Sequence, residues 1–123
     1  MCVLFLALDQ HPRYPVIVAT NRDEQYGRAT APAGRWREAP NVVAGRDVEA
    51  GGTWFGAADG GRWAALTNVR DLPAHRKGAR SRGDLPAAFL RGAVLPEAFA
   101  VDVFAQRDAF NPFNLLVGHG PDV

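Results

Sequence analysis

The residues best suited to chemistry in this chain are a cysteine at position 2 and a polar tetrad, Asn21-Arg22-Asp23-Glu24, that directly follows an apolar segment. Cys2 is the chain's one cysteine, so neither an internal disulfide nor a multi-cysteine zinc site is open to it. Removal of Met1 would make it the N-terminal residue, with a nucleophilic thiol and a free α-amine on one Cα. Such a nucleophile brings its own base and needs no histidine. An α-amine titrates at about 7.7–8.0 and accepts a proton near neutral pH. The thiolate is the reactive form of a thiol whose free pKa is about 8.5. The alternative is that Cys2 is a small apolar residue opening a buried strand, as free cysteines often are.

Four consecutive polar residues at the end of an apolar strand are not core. If residues 2–8 and 14–20 pair as a hairpin, Asp23 approaches the amine of Cys2. A carboxylate there would hold that amine and tune it through charge and hydrogen bonding. Arg22 would supply positive charge that favours the thiolate. The competing role for this tetrad is a cap or a surface salt bridge. Leu66-Thr67-Asn68 closes another strand with a polar pair, and Asn68 can offer amide N–H groups to a developing oxyanion, or simply serve the following turn. In Gly51-Gly52-Thr53-Trp54-Phe55-Gly56 the glycines permit close backbone approach to a ligand. Trp54 there is either packing or a pocket wall.

These side chains need a scaffold. The continuous apolar run 2–8 suits a strand covered on both faces, and Tyr14–Thr20 is β-branched and suits its hairpin partner. The segment 24–40, with Pro32, Gly34 and Pro40, reads as an ordered loop. Short strands follow at 41–45, 53–57 and 63–68, the last two joined by a turn at Asp59-Gly60-Gly61. Residues 70–82 are basic and irregular, and His75 among them reads as a solvated loop residue. Asp84 is the expected N-cap of a helix that Gly92 stops. Pro96 opens a second helix, to Ala105, with Phe99, Val103 and Phe104 on one face. Residues 113–118 return to strand. A meander, then helices, then a strand is an α+β layered order.

These pieces together resemble the NRDE family, named for transport and Golgi organisation protein 2. The resemblance rests on Met1-Cys2, Asn-Arg-Asp-Glu at 21–24, Gly-Gly-Thr-Trp-Phe-Gly at 51–56, Ala-Leu-Thr-Asn-Val-Arg at 65–70 and Phe-Asn-Leu-Leu at 113–116. It implies a fold like that of N-terminal nucleophile hydrolases, a four-layer αββα sandwich. Family members are usually longer, so residues 1–123 are expected to be a single NRDE-family domain truncated at its C-terminus. The resemblance places Cys2 as nucleophile. Asp23 matches the aspartate that contacts the N-terminal amine in choloylglycine and penicillin V acylases, and Asn68 matches their oxyanion-side asparagine. Arg22 is the nearest counterpart of an arginine that those acylases carry beside the aspartate, in a differing local pattern. Their second asparagine and later arginine would fall beyond Val123.

The implied activity is hydrolysis of a non-peptide amide (C–N) bond. Eukaryotic relatives are linked to membrane traffic, lipid metabolism and haem handling. The same pocket is therefore open to a second reading, a non-catalytic haem or acyl-lipid carrier, and a third reading is a trafficking partner with a merely buried Cys2. No cofactor is called for, and His11, His75 and His119 show no metal-ligand spacing. A net charge of +1 gives no reason to expect nucleic acid or an anionic membrane, and no apolar run is long enough for membrane insertion. The unpaired cysteine and the lack of a secretory pattern point to the cytoplasm. An isolated half-sandwich would expose a sheet face, which predicts self-association.

Overall fold

The computed structural model describes residues 2–71, 73 and 75–123, so Met1, whose removal the sequence reading invokes, lies outside the described residues. The architecture is α+β, with two antiparallel sheets and few helices. Strands β1 (Leu4–His11) and β2 (Tyr14–Thr20) form the expected hairpin. Leu4 pairs with Thr20, and the register shifts between Leu8 and His11. This two-stranded sheet is not covered on both faces. Phe5 is 69% exposed and Tyr14 53%, so the apolar run reflects strand propensity more than burial.

The second sheet has five strands in sequence order: β3 (Thr30–Trp36), β4 (Ala39–Asp47), β5 (Phe55–Ala58), β6 (Arg62–Asn68) and β7 (Phe113–His119). Strand β3 corrects the expected loop at 24–40. Pro32 and Gly34 are tolerated because β3 is an edge strand, and its pairing with β4 is irregular between Ala31 and Gly34. The β5–β6 turn uses Gly60 and Gly61 at φ +85° and +88°, backbone that other residues rarely adopt.

Helices α1 (Asp84–Arg91) and α2 (Pro96–Ala105) and a 3-10 turn (Arg107–Ala109) lie between β6 and β7. The first residue before α1 is Gly83, not Asp84, and no side chain caps the helix. Space explains the glycine: a Cβ there would press on the Thr53 backbone at 3.1 Å. Helix α1 lays Phe89 and Leu90, both fully buried, against Val42, Ala44, Ala64 and Val117 of the sheet. Helix α2 contributes Val103 to a second cluster with Leu66, Leu85 and Phe110. Phe104, expected on that face, is instead 67% exposed. Arg62 joins the layers by donating to the Phe89 carbonyl at 2.8 Å and the Val94 carbonyl at 2.9 Å. It thereby satisfies a backbone acceptor in the last turn of α1. Among the described residues no helix is long and apolar enough to cross a membrane.

Candidate functional site

The hairpin register brings the residues before β1 beside those after β2. Val3 is held there by three bonds. Its N–H donates to Asn21 Oδ1 at 2.7 Å, and its carbonyl accepts Thr20 Oγ1 at 2.9 Å and the Asn21 N–H at 3.3 Å. Residues Cys2 and Asp23 consequently meet: the Asp23 N–H donates to Cys2 Sγ at 3.3 Å, and Sγ lies 3.9 Å from the Asp23 carbonyl oxygen. An N–H aimed at sulfur strengthens as the sulfur gains negative charge.

Cys2 is half-buried beside a cavity of about 640 Å³. Asp23, Thr67, Asn68, Asn114 and Arg82 also line it. Asn68 reaches it from the last position of β6, paired with Phe113, and is exposed. One position back, Thr67 Oγ1 accepts a bond from Asn114 Nδ2 at 3.1 Å. The three residues expected to be catalytic, Cys2, Asp23 and Asn68, thus border one cavity, although they come from three separate segments.

Arg22 and Trp54 border an adjoining cavity of about 330 Å³ instead. Arg22 is engaged by β3, β4 and Trp54. Its guanidinium donates to Thr30 Oγ1 at 2.7 Å and Asp47 Oδ2 at 3.2 Å, and it lies 4.6 Å from the Trp54 ring centroid. Arg28 Nε donates to the same Asp47 oxygen at 2.7 Å, while Asp47 Oδ1 accepts the N–H groups of Glu49 and Ala50. Burial opposes ionisation of Asp47, but the Arg28 bond, the Ala50 N–H and the charges of Arg28 and Arg22 outweigh it. They hold this carboxyl below the ordinary carboxylate range. The network fastens the segment carrying Asp23 to the end of β4.

The arginines bordering the thiol cavity are Arg70 and Arg82. Half-buried Arg82 donates to the Pro112 carbonyl at 2.8 Å. Burial lowers its pKa, against the opposing charges of Glu24 and Cys2. Nothing local in the sequence singles out Arg82, which ends an irregular basic run. Its position is set by tertiary contacts: Gly83 packs against Gly52, and its carbonyl accepts the Thr53 N–H at 3.1 Å. A second residue absent from the sequence-based expectations is Asn111, 8% exposed. It grips the backbone of Arg76 in both directions, accepting the N–H at 2.8 Å and donating Nδ2 to the carbonyl at 3.1 Å. This pairing brings His75, read as a solvated loop residue, to the rim of both cavities while leaving it exposed. An asparagine in Phe110-Asn111-Pro112 was the available signal, since a polar residue between apolar ones needs a partner. Among the described residues no three His, Cys, Asp or Glu side chains gather as a metal would require.

The sequence model of a family described as Transport and Golgi organisation 2 matches residues 1–121. A Transport and Golgi organization protein 2 homolog of Bos taurus is 37% identical over 94% of this chain and 44% of its own length. The Homo sapiens homolog is 36% identical over the same shares. Transport and Golgi organization protein 2 of Drosophila melanogaster is 36% identical over 76% of this chain and 36% of its own length. The chain therefore spans less than half the length of these curated relatives.

Proposed function

This chain belongs to the Transport and Golgi organisation 2 family, and from that premise we propose that it carries an N-terminal cysteine hydrolase site for a non-peptide amide. The observation that carries the reading is the contact of Cys2 Sγ with the Asp23 N–H at 3.3 Å, beside a cavity that Asn68 also lines. Once Met1 is removed, the α-amine of Cys2 takes the thiol proton and the sulfur attacks the amide carbonyl. Asn68 donates to the resulting oxyanion. The protonated amine then passes its proton to the leaving nitrogen as the C–N bond breaks, leaving a thioester on Cys2. Water, deprotonated by the same amine, releases the acid and restores the thiol. Asp23 keeps the amine oriented throughout. The full αββα sandwich belongs to this same reading, supported by one helix layer and two sheets.

The test is turnover of a panel of N-acyl amides by the wild type, Cys2→Ala and Asn68→Ala. Turnover lost in Cys2→Ala and reduced about 10²–10³-fold in Asn68→Ala is expected, the usual cost of an oxyanion donor. Undiminished turnover in Cys2→Ala would end the hydrolase reading.

One observation favours the carrier reading for an acyl lipid. A groove of about 520 Å³, lined by Val103, Phe104, Phe110, Phe113 and Leu115, shares Asn111 and Pro112 with the thiol cavity. An acyl chain there would leave its head at the basic loop. Saturable binding of a fatty acyl probe by Cys2→Ala, with no amide turnover by the wild type, is the outcome this reading predicts.

A further inference from the structure

The cavity adjoining the thiol cavity is strongly cationic. Six basic side chains and two carboxylates line it, an excess of four positive charges in a chain whose whole net charge is +1. The two carboxylates, Glu24 and Asp47, are already within ion-pair distance of Arg22 and Arg28. The excess therefore resides on Arg76, Lys77, Arg80 and Arg82, none of which has a carboxylate within ion-pair distance among the described residues. Three of the four instead spend a guanidinium N–H on neutral oxygens: Arg76 on the Phe110 carbonyl, Arg80 on Gln106 Oε1 and Arg82 on the Pro112 carbonyl. Such acceptors orient a guanidinium without neutralising it, and each arginine keeps further N–H donors.

This concentration of charge is built into the fold. Buried Asn111 fixes the backbone at Arg76, and the Arg80 N–H bonds the Ala109 carbonyl at 3.0 Å. Arg82 is followed by Gly83, which is locked to Thr53. A folded chain gains nothing by crowding like charges round a hollow; a bound anion is what relieves that cost. Arg82, Glu24, Asn68, His75 and Asn111 border both cavities, so the basic hollow and the thiol cavity share a wall.

We propose that the basic hollow is an anion subsite of the thiol cavity. The molecule handled at Cys2 carries a carboxylate or phosphate group, which Arg82 receives with Arg76 behind it. Resting on the hydrolase reading, this narrows the substrate class to N-acyl compounds with an anionic group close to the scissile amide. Neutral amides would be poor substrates.

Two measurements on the wild type, Arg82→Gln, Arg82→Lys and Arg35→Gln test it. Arg35, paired with Asp59 on the exposed side of β3, is a control that removes the same charge elsewhere. The first measurement is a titration with inorganic phosphate and with N-acetylglycine, followed by NMR. Saturable binding is expected, weakened roughly tenfold in Arg82→Gln, the loss of about one charge-assisted hydrogen bond. It should be unchanged in Arg35→Gln and partly retained in Arg82→Lys, which keeps the charge but not the fork. Tighter phosphate than carboxylate binding would identify a phosphorylated compound, and the reverse a carboxylate one. The second is the ratio of Cys2 alkylation rates by iodoacetate and iodoacetamide, which cancels any change in thiol activation. That ratio should fall roughly tenfold in Arg82→Gln.

Anion binding that Arg82→Gln leaves intact, or that is never saturable, overturns the subsite even if neutral amides are hydrolysed. Arg82-dependent anion binding with no amide turnover upholds the subsite and defeats the hydrolase reading alone.

Discussion

Replacing Asp47 with Asn tests how the site is fastened to the fold. The Asp47 side chain is 15% exposed, and its Oδ2 receives Arg28 Nε at 2.7 Å and Arg22 at 3.2 Å. Asparagine keeps an acceptor for the Glu49 and Ala50 N–H groups but turns an amide or a neutral oxygen toward two guanidiniums. A hydrogen bond to a charged partner contributes about 1.5–3 kcal/mol. The Arg28 side chain is 31% exposed, so water recovers much of its share, whereas Arg22 at 17% recovers less. The expected loss is about 2–4 kcal/mol, or on the order of 10 °C in Tm for a domain of this size. The pH dependence carries the sign. The Asp47 pKa is lowered by folding, so its stabilisation is complete above the unfolded value of about 3.9 and is lost as pH falls through the folded value. Urea unfolding of the wild type and Asp47→Asn should therefore differ by a constant amount from pH 7 to pH 5, then converge in acid. A gap under about 0.5 kcal/mol at pH 7, or one that persists unchanged at pH 2, would show that the Asp47 carboxylate does not fasten this segment.

Asn111→Ala should cost about 1–3 kcal/mol, because it strands the Arg76 N–H and carbonyl; faster hydrogen exchange at the Arg76 amide checks this. Gly52→Ala places a Cβ 2.4 Å from the Gly83 backbone, which cannot yield cheaply. Destabilisation of about 1–3 kcal/mol is expected, with displacement of Arg82 visible in NMR shifts. Phe89→Ala empties a fully buried position between α1 and the sheet and should cost about 3–5 kcal/mol by chemical denaturation.

The elements legible in the sequence were those whose cause is local. The β1–β2 hairpin followed from two β-rich runs either side of an expected turn at residues 9–13, although β1 runs on to His11 and the turn itself is only Pro12-Arg13; Gly92 ended α1 as expected. That hairpin also brought Asp23 to Cys2, since pairing two strands of similar length fixes which ends meet. Strand β3 was illegible because Pro32 and Gly34 argue against a strand unless the strand is known to be at an edge, and edges are decided by the whole sheet. The exposure of Phe104 likewise depends on how α2 rolls against β7. Arg82 could not be picked from a run of bases, because its place at the thiol cavity is set by the Gly52–Gly83 contact and by Pro112, both distant in sequence. Arg22 was legible as a charge near Asp23, but its direction was not, since Asp47 and Trp54 lie far along the chain.

The proposed chemistry requires Cys2 to act as an N-terminal residue, with amine and thiol on one carbon. The intact mass of the protein isolated from cells that retain a methionine aminopeptidase, read before and after incubation with an anionic N-acyl amide, tests it most directly. Expected are a mass lacking one methionine and a substrate-dependent acyl adduct that maps to Cys2 and is absent from Cys2→Ala. A protein that keeps Met1, or an adduct that forms equally on Cys2→Ala, would contradict it.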